Sequence, residues 1–115
     1  MSTNGSQTGM TTEWLAARLG LQPSRVEGLR RAGYLVGLPR EDGRHEYPSW
    51  QFGRDGRPLA AVPRLVAEAR AAGVDERRLH DIVTMRDGLT GGRRLAELLR
   101  EGGEEQVLRA LARAA

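Results

Sequence analysis

The chain contains no cysteine and no lysine among its 115 residues. The lack of cysteine excludes disulfides and thiolate metal sites. No apolar run approaches the length of about 18 residues that a membrane span needs, and no signal-peptide core lies near the N-terminus. The sequence therefore predicts a soluble cytoplasmic protein that does not contact a membrane.

Large aromatic side chains are also scarce, because the chain has only one Phe, two Trp and two Tyr. A hydrophobic core must therefore be built mainly from Leu, Val and Ala. A chain of this length supports one compact domain or two small helical units that share a core. Oligomerisation would stabilise so small a protein.

Positive charge is carried entirely by 18 arginines, and 15 acidic residues reduce the formal net charge to +3. The excess of positive charge is concentrated in one part of the chain. Residues 18–44 contain six arginines against three acids, whereas residues 58–115 contain ten against nine. A local basic patch of this kind is typical of a surface that meets phosphate groups.

A short helix is predicted close to the N-terminus. Residues 1–10 are small and polar without periodicity, so they predict a disordered tail. Thr11 or Thr12 offers a hydroxyl that can cap a helix running to about Leu19. Gly20 then ends this helix.

A second helix and a β-hairpin follow. Pro23 suits the first turn of a helix, and Gly33 terminates that helix. The pair Asp42-Gly43 is a strong turn signal between two short apolar segments, so a hairpin is expected over about residues 35–48.

The stretch LAARLGLQPSRVEGL, residues 15–29, has the apolar pattern of a helix-turn-helix. The residues expected to face inward are Leu15, Ala16, Leu19, Leu21, Val26 and Leu29. With this inward side fixed, a rotation of about 100° per residue turns the opposite side of the second helix to solvent. The residues of this second helix and its N-terminal end that are predicted to contact DNA are Gln22, Ser24, Arg25, Gly28, Arg30 and Arg31.

These side chains suit the major groove of DNA. Arg25 and Arg31 can bind guanine or phosphate, Gln22 can read adenine, and Ser24 can contact backbone or base. Gly28 costs the helix about 1 kcal/mol relative to Ala and would allow close approach. The alternative interpretation is a helical hairpin that only packs, with solvated arginines on its surface.

The predicted hairpin adds Arg40, Arg44 and His45 around its turn, where they can touch phosphate or the minor groove. Glu41 and Asp42 at the tip repel phosphate. Contact is therefore expected from the strands of the hairpin more than from its apex.

The rest of the chain is predicted to be helical. Residues 53–58 form a second turn, and four apolar stripes at helical spacing follow it. Each stripe holds about three large residues, so the four helices must pack on one another or on a second subunit. Trp50 and Phe52, at alternate positions, are expected to cover the joint between the hairpin and the helical half.

The predicted fold is mainly α with a small β-hairpin. It consists of a disordered tail over residues 1–10, a winged helix-turn-helix over 11–52 and a four-helix dimerisation or interaction unit over 53–115.

Two family resemblances extend this prediction. The stretch LAARLGLQPSRVEGLRRAGYL followed by a hairpin resembles winged-helix domains of the MerR and excisionase type, including a mycobacterial DNA-binding family. From YPSWQFGRDGRPL onward the chain resembles the C-terminal domain of Xre/MbcA/ParS-type antitoxins, which mediates dimerisation and toxin binding. The chain departs from that second pattern at Arg93-Arg94, where a Thr-Pro helix start is common.

Groups capable of catalysis are scattered along the chain. His80 and Asp81 are adjacent on a predicted helix and therefore point in different directions. Glu76 and His80 have a spacing that can hold a metal, but no third ligand is apparent. The sequence predicts no enzyme activity, no catalytic residue, no metal site and no cofactor.

The leading hypothesis is a sequence-specific transcriptional regulator that binds double-stranded DNA as a homodimer and associates with the nucleoid when bound. Its helical half would space two recognition helices along the major groove. The alternative is an antitoxin or adaptor that holds a toxin or another protein with residues 58–115. The two functions can coexist in one protein.

Overall fold

The computed structural model describes residues 9–87 and 93–114, in which α-helices predominate and the strands are short. The helices are α1 (Thr12–Leu19), α2 (Pro23–Arg31), α3 (Val62–Ala71), α4 (Glu76–Thr84), α5 (Leu95–Arg100) and α6 (Glu104–Ala114). The strands are β1 (Gly9–Thr11), β2 (Leu38–Pro39), β3 (His45–Pro48), β4 (Arg86–Asp87) and β5 (Arg93–Arg94). A mainly helical chain with a small β-hairpin was predicted, and both features are present.

The first two helices begin and end where the sequence predicts. Thr11 caps α1, since its hydroxyl oxygen accepts a hydrogen bond from the amide of Trp14 at 3.1 Å. Gly20 ends α1 in the left-handed conformation with φ of +71°, which glycine adopts at little cost. Pro23 stands at the start of α2, where its missing N–H leaves no bond unmade. α1 and α2 therefore meet across a tight turn.

The predicted hairpin is formed by β2 and β3, and its turn contains Gly43 at φ of +83°. A third strand, β1, pairs antiparallel with the other edge of β3, so the strand order is β1-β3-β2. The prediction of a disordered tail is therefore wrong for Gly9 and Met10. Their backbone completes the hydrogen bonding of β3, and Met10 packs against the adjacent core. Residues 1–8 of the predicted tail lie outside the described part of the chain.

The interior contains two apolar clusters. The smaller, N-terminal cluster is formed by Leu15, Ala16, Val26, Leu35, Tyr47 and Phe52. The larger cluster belongs mainly to α3 to α6 and also receives Val36 and Trp50. Trp50 and Phe52 thus enter different clusters, which confirms the prediction that they cover the joint.

The four C-terminal helices bury their apolar stripes within the chain. Val62, Leu79, Leu99 and Leu111 all belong to the larger cluster and are at most 4% exposed. Of the two expected ways to cover these stripes, packing of the helices on one another is the one observed. The short β4–β5 pair lies between α4 and α5 and was not predicted.

Across the described ranges, no helix is long and apolar enough to cross a membrane.

Candidate nucleic-acid interface

The outward side of α2 carries most of the side chains predicted to contact DNA. Gln22, Ser24, Arg25 and Arg31 are exposed. Gln22 occupies the N-cap position of α2, and its side chain makes no capping hydrogen bond. Gly28 lies between them, and a Cβ built there would meet no atom within 4 Å. This side of α2 is therefore open, polar and smooth.

The charge of this surface is positive because the one acidic residue of α2, Glu27, is paired with neighbouring side chains. The first turn of α2 contains no acidic side chain, so the positive end of the helix dipole is not neutralised there. Glu27 is partly buried, and its carboxylate accepts hydrogen bonds from Thr12 Oγ1 and Arg30 Nη2, both at 3.1 Å. The exposed side of α2 thus presents Arg25 and Arg31 without a carboxylate between them.

The hairpin brings further predicted residues beside α2. Arg40 and Arg44 are exposed at its turn, where the amide of Arg40 donates to the carbonyl of Arg44 at 2.7 Å. His45 is less exposed, and its Nδ1 lies 4.0 Å from a carboxylate oxygen of Glu27. A groove separates the hairpin from α2 and the start of α1. The residues that line it are Thr11, Thr12, Glu13, Pro23, Glu27, Arg40, Gly43, Arg44 and His45.

One of the two acidic residues at the tip of the hairpin, Asp42, has a structural role. Asp42 Oδ1 accepts a hydrogen bond from the backbone amide of Arg44 at 3.0 Å, so this carboxylate stabilises the turn. The negative charge of Asp42 is therefore tied to the backbone between two exposed arginines.

Arg30, another residue predicted to contact DNA, has most of its side chain buried. Only 16% of its side chain is exposed, and its guanidinium pairs with Glu27 at 3.1 Å and with Glu76 of α4 at 3.8 Å. An added Cβ on Gly37 would lie 2.5 Å from Cδ of Arg30, so the Arg30 stem runs against bare backbone. Arg30, which was predicted to contact DNA together with Arg31, therefore points in a different direction from it, because consecutive helical residues point about 100° apart.

A polar cluster that the sequence did not predict is formed by Glu27, Arg30 and Glu76. Burial raises the pKa of Glu27, but hydrogen bonds from Arg30 and Thr12 and the charges of Arg30 and His45 outweigh it, so the pKa is lowered. The other oxygen of Glu76 accepts the amide of Gly37 at 3.1 Å. The cluster thereby joins α2 to α1, to the segment before the hairpin and to α4. Only the Glu27–Arg30 spacing of three residues signals it in the sequence.

The Glu76–His80 pair, whose spacing suits a metal, is committed to protein contacts. Nδ1 of His80 accepts a hydrogen bond from Nε1 of Trp50 at 3.0 Å. Within residues 9–87 and 93–114, no group of three or more His, Asp or Glu side chains could hold a metal ion.

Acidification is expected to destabilise the fold through His80. Burial lowers the pKa of His80, because the charged imidazolium loses hydration, and Nδ1 must stay unprotonated to accept from Trp50. A lowered folded-state pKa means that the unfolded chain binds the proton first. The stability that the neutral His80 side chain contributes is therefore fully present above pH 6.5, the ordinary pKa of histidine. It is lost as the pH falls below that value.

Urea unfolding at a series of pH values between about 7.5 and 5 checks this expectation. The wild-type free energy of unfolding should fall across this range, and His80→Asn, which keeps an acceptor near the Nδ1 position, should flatten the slope. An NMR titration in which the His80 imidazole protonates at or above 6.5 would contradict the assignment.

The chain was compared with known proteins. No protein-family model matches it, and no curated protein shows significant sequence similarity. Among solved structures, the NMR structure of a protein named Rv2175c is similar, with a TM-score of 0.79 and 24% sequence identity over 93% of this chain and 81% of that chain. At this identity the likeness shows the fold alone, which extends over most of both chains.

Proposed function

We propose that this protein binds double-stranded DNA as a winged helix-turn-helix, with α2 in the major groove and the β2–β3 hairpin as the wing. The observation that carries the proposal is the exposed side of α2, which holds Arg25 and Arg31 while the carboxylate of Glu27 is paired with Thr12 and Arg30. Arginine binds guanine and phosphate through paired N–H groups. Arg40 and Arg44 lie across the groove from α2, in position to contact a neighbouring phosphate.

The test begins with duplexes selected from a random library by the full-length protein. Binding of a fluorescein-labelled selected duplex is measured by anisotropy over a range of salt concentrations. The proposed interface of each copy holds four exposed arginines, Arg25, Arg31, Arg40 and Arg44. Counterion release then predicts a slope of log K against log salt of about −3 to −4 for each bound copy. If no sequence is enriched and all duplexes bind with equal affinity, specific DNA binding is contradicted.

Two copies on one DNA site are part of the proposal, because four arginines per copy give limited affinity. The apolar stripes of α3 to α6 are buried within one chain, so in the described residues no apolar face of these helices demands a partner. We therefore expect copies to pair on DNA whose half-sites lie about 10 base pairs apart. Light scattering of the free protein and of its complex with a selected duplex gives both stoichiometries. The same burial leaves the antitoxin alternative without a specific supporting contact.

Substitution of Gly28 separates stability from DNA binding. Gly28→Ala is expected to stabilise the fold by about 0.5 to 1 kcal/mol, because alanine is the better helix former and its Cβ meets open space. The same methyl group should weaken binding to the selected duplex, since it stands where DNA approaches the helix most closely.

The matched control is Ala67→Gly, which makes the reverse change at an exposed position of α3. It should lower the free energy of unfolding by a similar amount and leave DNA affinity unchanged. If Gly28→Ala binds the selected duplex as tightly as the wild type, close approach of DNA at this position is excluded.

A further inference from the structure

A second surface has the composition of a peptide-binding groove and shares no residue with α2 or the hairpin. We call it the Trp14 groove. It measures about 240 Å³ and is lined by Met10 of β1, by α1, by the segment after β3 and by Arg100 of α5. Its floor is apolar and includes Leu15 and Phe52, which are both buried. Trp14 forms one wall and is 51% exposed, unusual for so large an apolar side chain.

Three arginines and no acidic residue complete the lining of the Trp14 groove: Arg18, Arg54 and Arg100. The guanidinium carbon of Arg18 lies 5.6 Å from the centroid of the Trp14 ring, a cation–π arrangement. The same guanidinium crosses Gly56, where an added Cβ would lie 2.8 Å from Nη2. Arg18 is therefore held between an aromatic face and bare backbone.

Arg100 is fixed in a different way. Its Nη2 donates to the carbonyl oxygens of Ser49 at 3.2 Å and Phe52 at 3.0 Å. A guanidinium has five N–H donors, so these bonds orient Arg100 and leave other donors for a ligand. The groove thus combines an apolar floor, an exposed Trp and positioned positive charge. Trp and Arg are the residue types that contribute most to protein–protein affinity.

We propose that the Trp14 groove binds an acidic segment of a partner protein. An apolar side chain of that segment enters the floor beside Trp14, and flanking carboxylates accept hydrogen bonds from Arg18, Arg54 and Arg100. A cavity of about 240 Å³ with an apolar floor fits side chains, whereas a DNA duplex is too wide to enter it and its phosphates gain nothing from apolar contact.

Charge complementarity favours a foreign segment over this chain's own. The eight residues before Gly9 contain no acidic side chain. Several exposed carboxylates of the helical half already pair with arginines, as Glu101 does with Arg93 and as Glu104 and Glu105 do with Arg64. An acidic peptide with an apolar centre complements both the positive charge and the apolar floor of the Trp14 groove.

The experiment titrates ¹⁵N-labelled full-length protein with the acetylated peptide Glu-Asp-Leu-Phe-Asp-Glu, without DNA. We expect shifts of the Trp14 indole N–H and of the Gly53 and Gly56 amides. Arg18→Ala and Trp14→Ala should each weaken binding about tenfold or more. Arg25→Ala removes the same charge from α2 and should bind the peptide like the wild type. Because DNA is absent, the result is independent of the proposed DNA binding.

Several outcomes would overturn the proposal. One is the absence of shifts at millimolar acidic peptide, and another is equal shifts from a peptide with Lys and Arg in place of its acids. Competition between a selected duplex and the peptide for the Gly53 and Gly56 amides would assign the groove to DNA. A dimer of the free protein that Arg18→Ala dissociates would assign it to a second copy.

Discussion

Arg31→Ala is expected to weaken binding of the selected duplex by about 1 to 3 kcal/mol, or roughly five- to 150-fold. Arg31 is exposed and lies within about 20° of Ser24 and within about 60° of Gly28 around the helix axis. These three residues form the centre of the outward side of α2, where base edges would be met. Loss of a paired arginine–guanine contact should also shrink the preference for the selected sequence over random DNA.

Arg25→Ala should behave differently. Arg25 flanks the centre of this surface, about 100° around the helix from Ser24, so it is placed to meet phosphate. Its removal should weaken binding to selected and random duplexes alike and reduce the salt slope by about one. The comparison of the two variants therefore distinguishes base reading from backbone contact.

The matched control for both variants is Arg109→Ala, which removes one exposed arginine from α6. It lowers the net charge equally but lies on the helical half. Circular dichroism of all three variants shows whether the fold is kept. If Arg31→Ala retains both the affinity and the sequence preference of the wild type while Arg109→Ala changes them, α2 does not meet DNA.

Much of the fold could be predicted because local signals and the final packing agree. The Gly20 turn, Pro23 at the start of α2 and the Asp42-Gly43 turn each restrict the backbone within a few residues. The apolar spacing of Val26 and Leu29 likewise fixes which side of α2 is exposed. The predicted residues Gln22, Ser24, Arg25 and Arg31 were found on that side for this reason.

The features that were missed depend on contacts between residues far apart in the chain. β1 consists of only Gly9, Met10 and Thr11 and has no strand pattern of its own, so it forms only because the edge of β3 accepts it. Arg30 was predicted to contact DNA because nothing local shows that Glu76, 46 residues later, lies beside it. The β4 and β5 strands are two residues each, too short for any periodicity to appear.

The cluster of Glu27, Arg30 and Glu76 also gives the proposed recognition helix its support. Glu27 binds α1 through Thr12, and Arg30 approaches α4 through Glu76. A short helix of nine residues is marginal alone, so its orientation depends on such tertiary contacts. The helical half thus contributes to the position of α2 within a single chain, a role separate from the dimerisation that the sequence predicted.

Gln51→Leu is expected to destabilise the protein by about 2 to 4 kcal/mol. Gln51 is fully buried, and its side-chain oxygen accepts the amide of Val36 at 2.8 Å. Its side-chain nitrogen donates to the carbonyl of Val36 at 2.8 Å and to that of Pro48 at 3.1 Å. Leucine has a similar size but cannot make these bonds, so up to three buried backbone groups lose a partner. Greater burial of apolar surface offsets only part of this cost.

The substitution is informative because the side chain of Gln51 makes hydrogen bonds to the backbone of Val36 like those that a neighbouring strand would make. It pairs with both backbone groups of Val36 and so ties the segment after α2 to the turn after β3, where Trp50 and Phe52 enter separate cores. Urea unfolding followed by circular dichroism measures the loss of stability. The matched control is Gln106→Leu at an exposed position of α6, which should change the free energy of unfolding by less than about 0.5 kcal/mol. Equal midpoints for the two variants would mean that the buried hydrogen bonds of Gln51 to Val36 and Pro48 do not stabilise the fold.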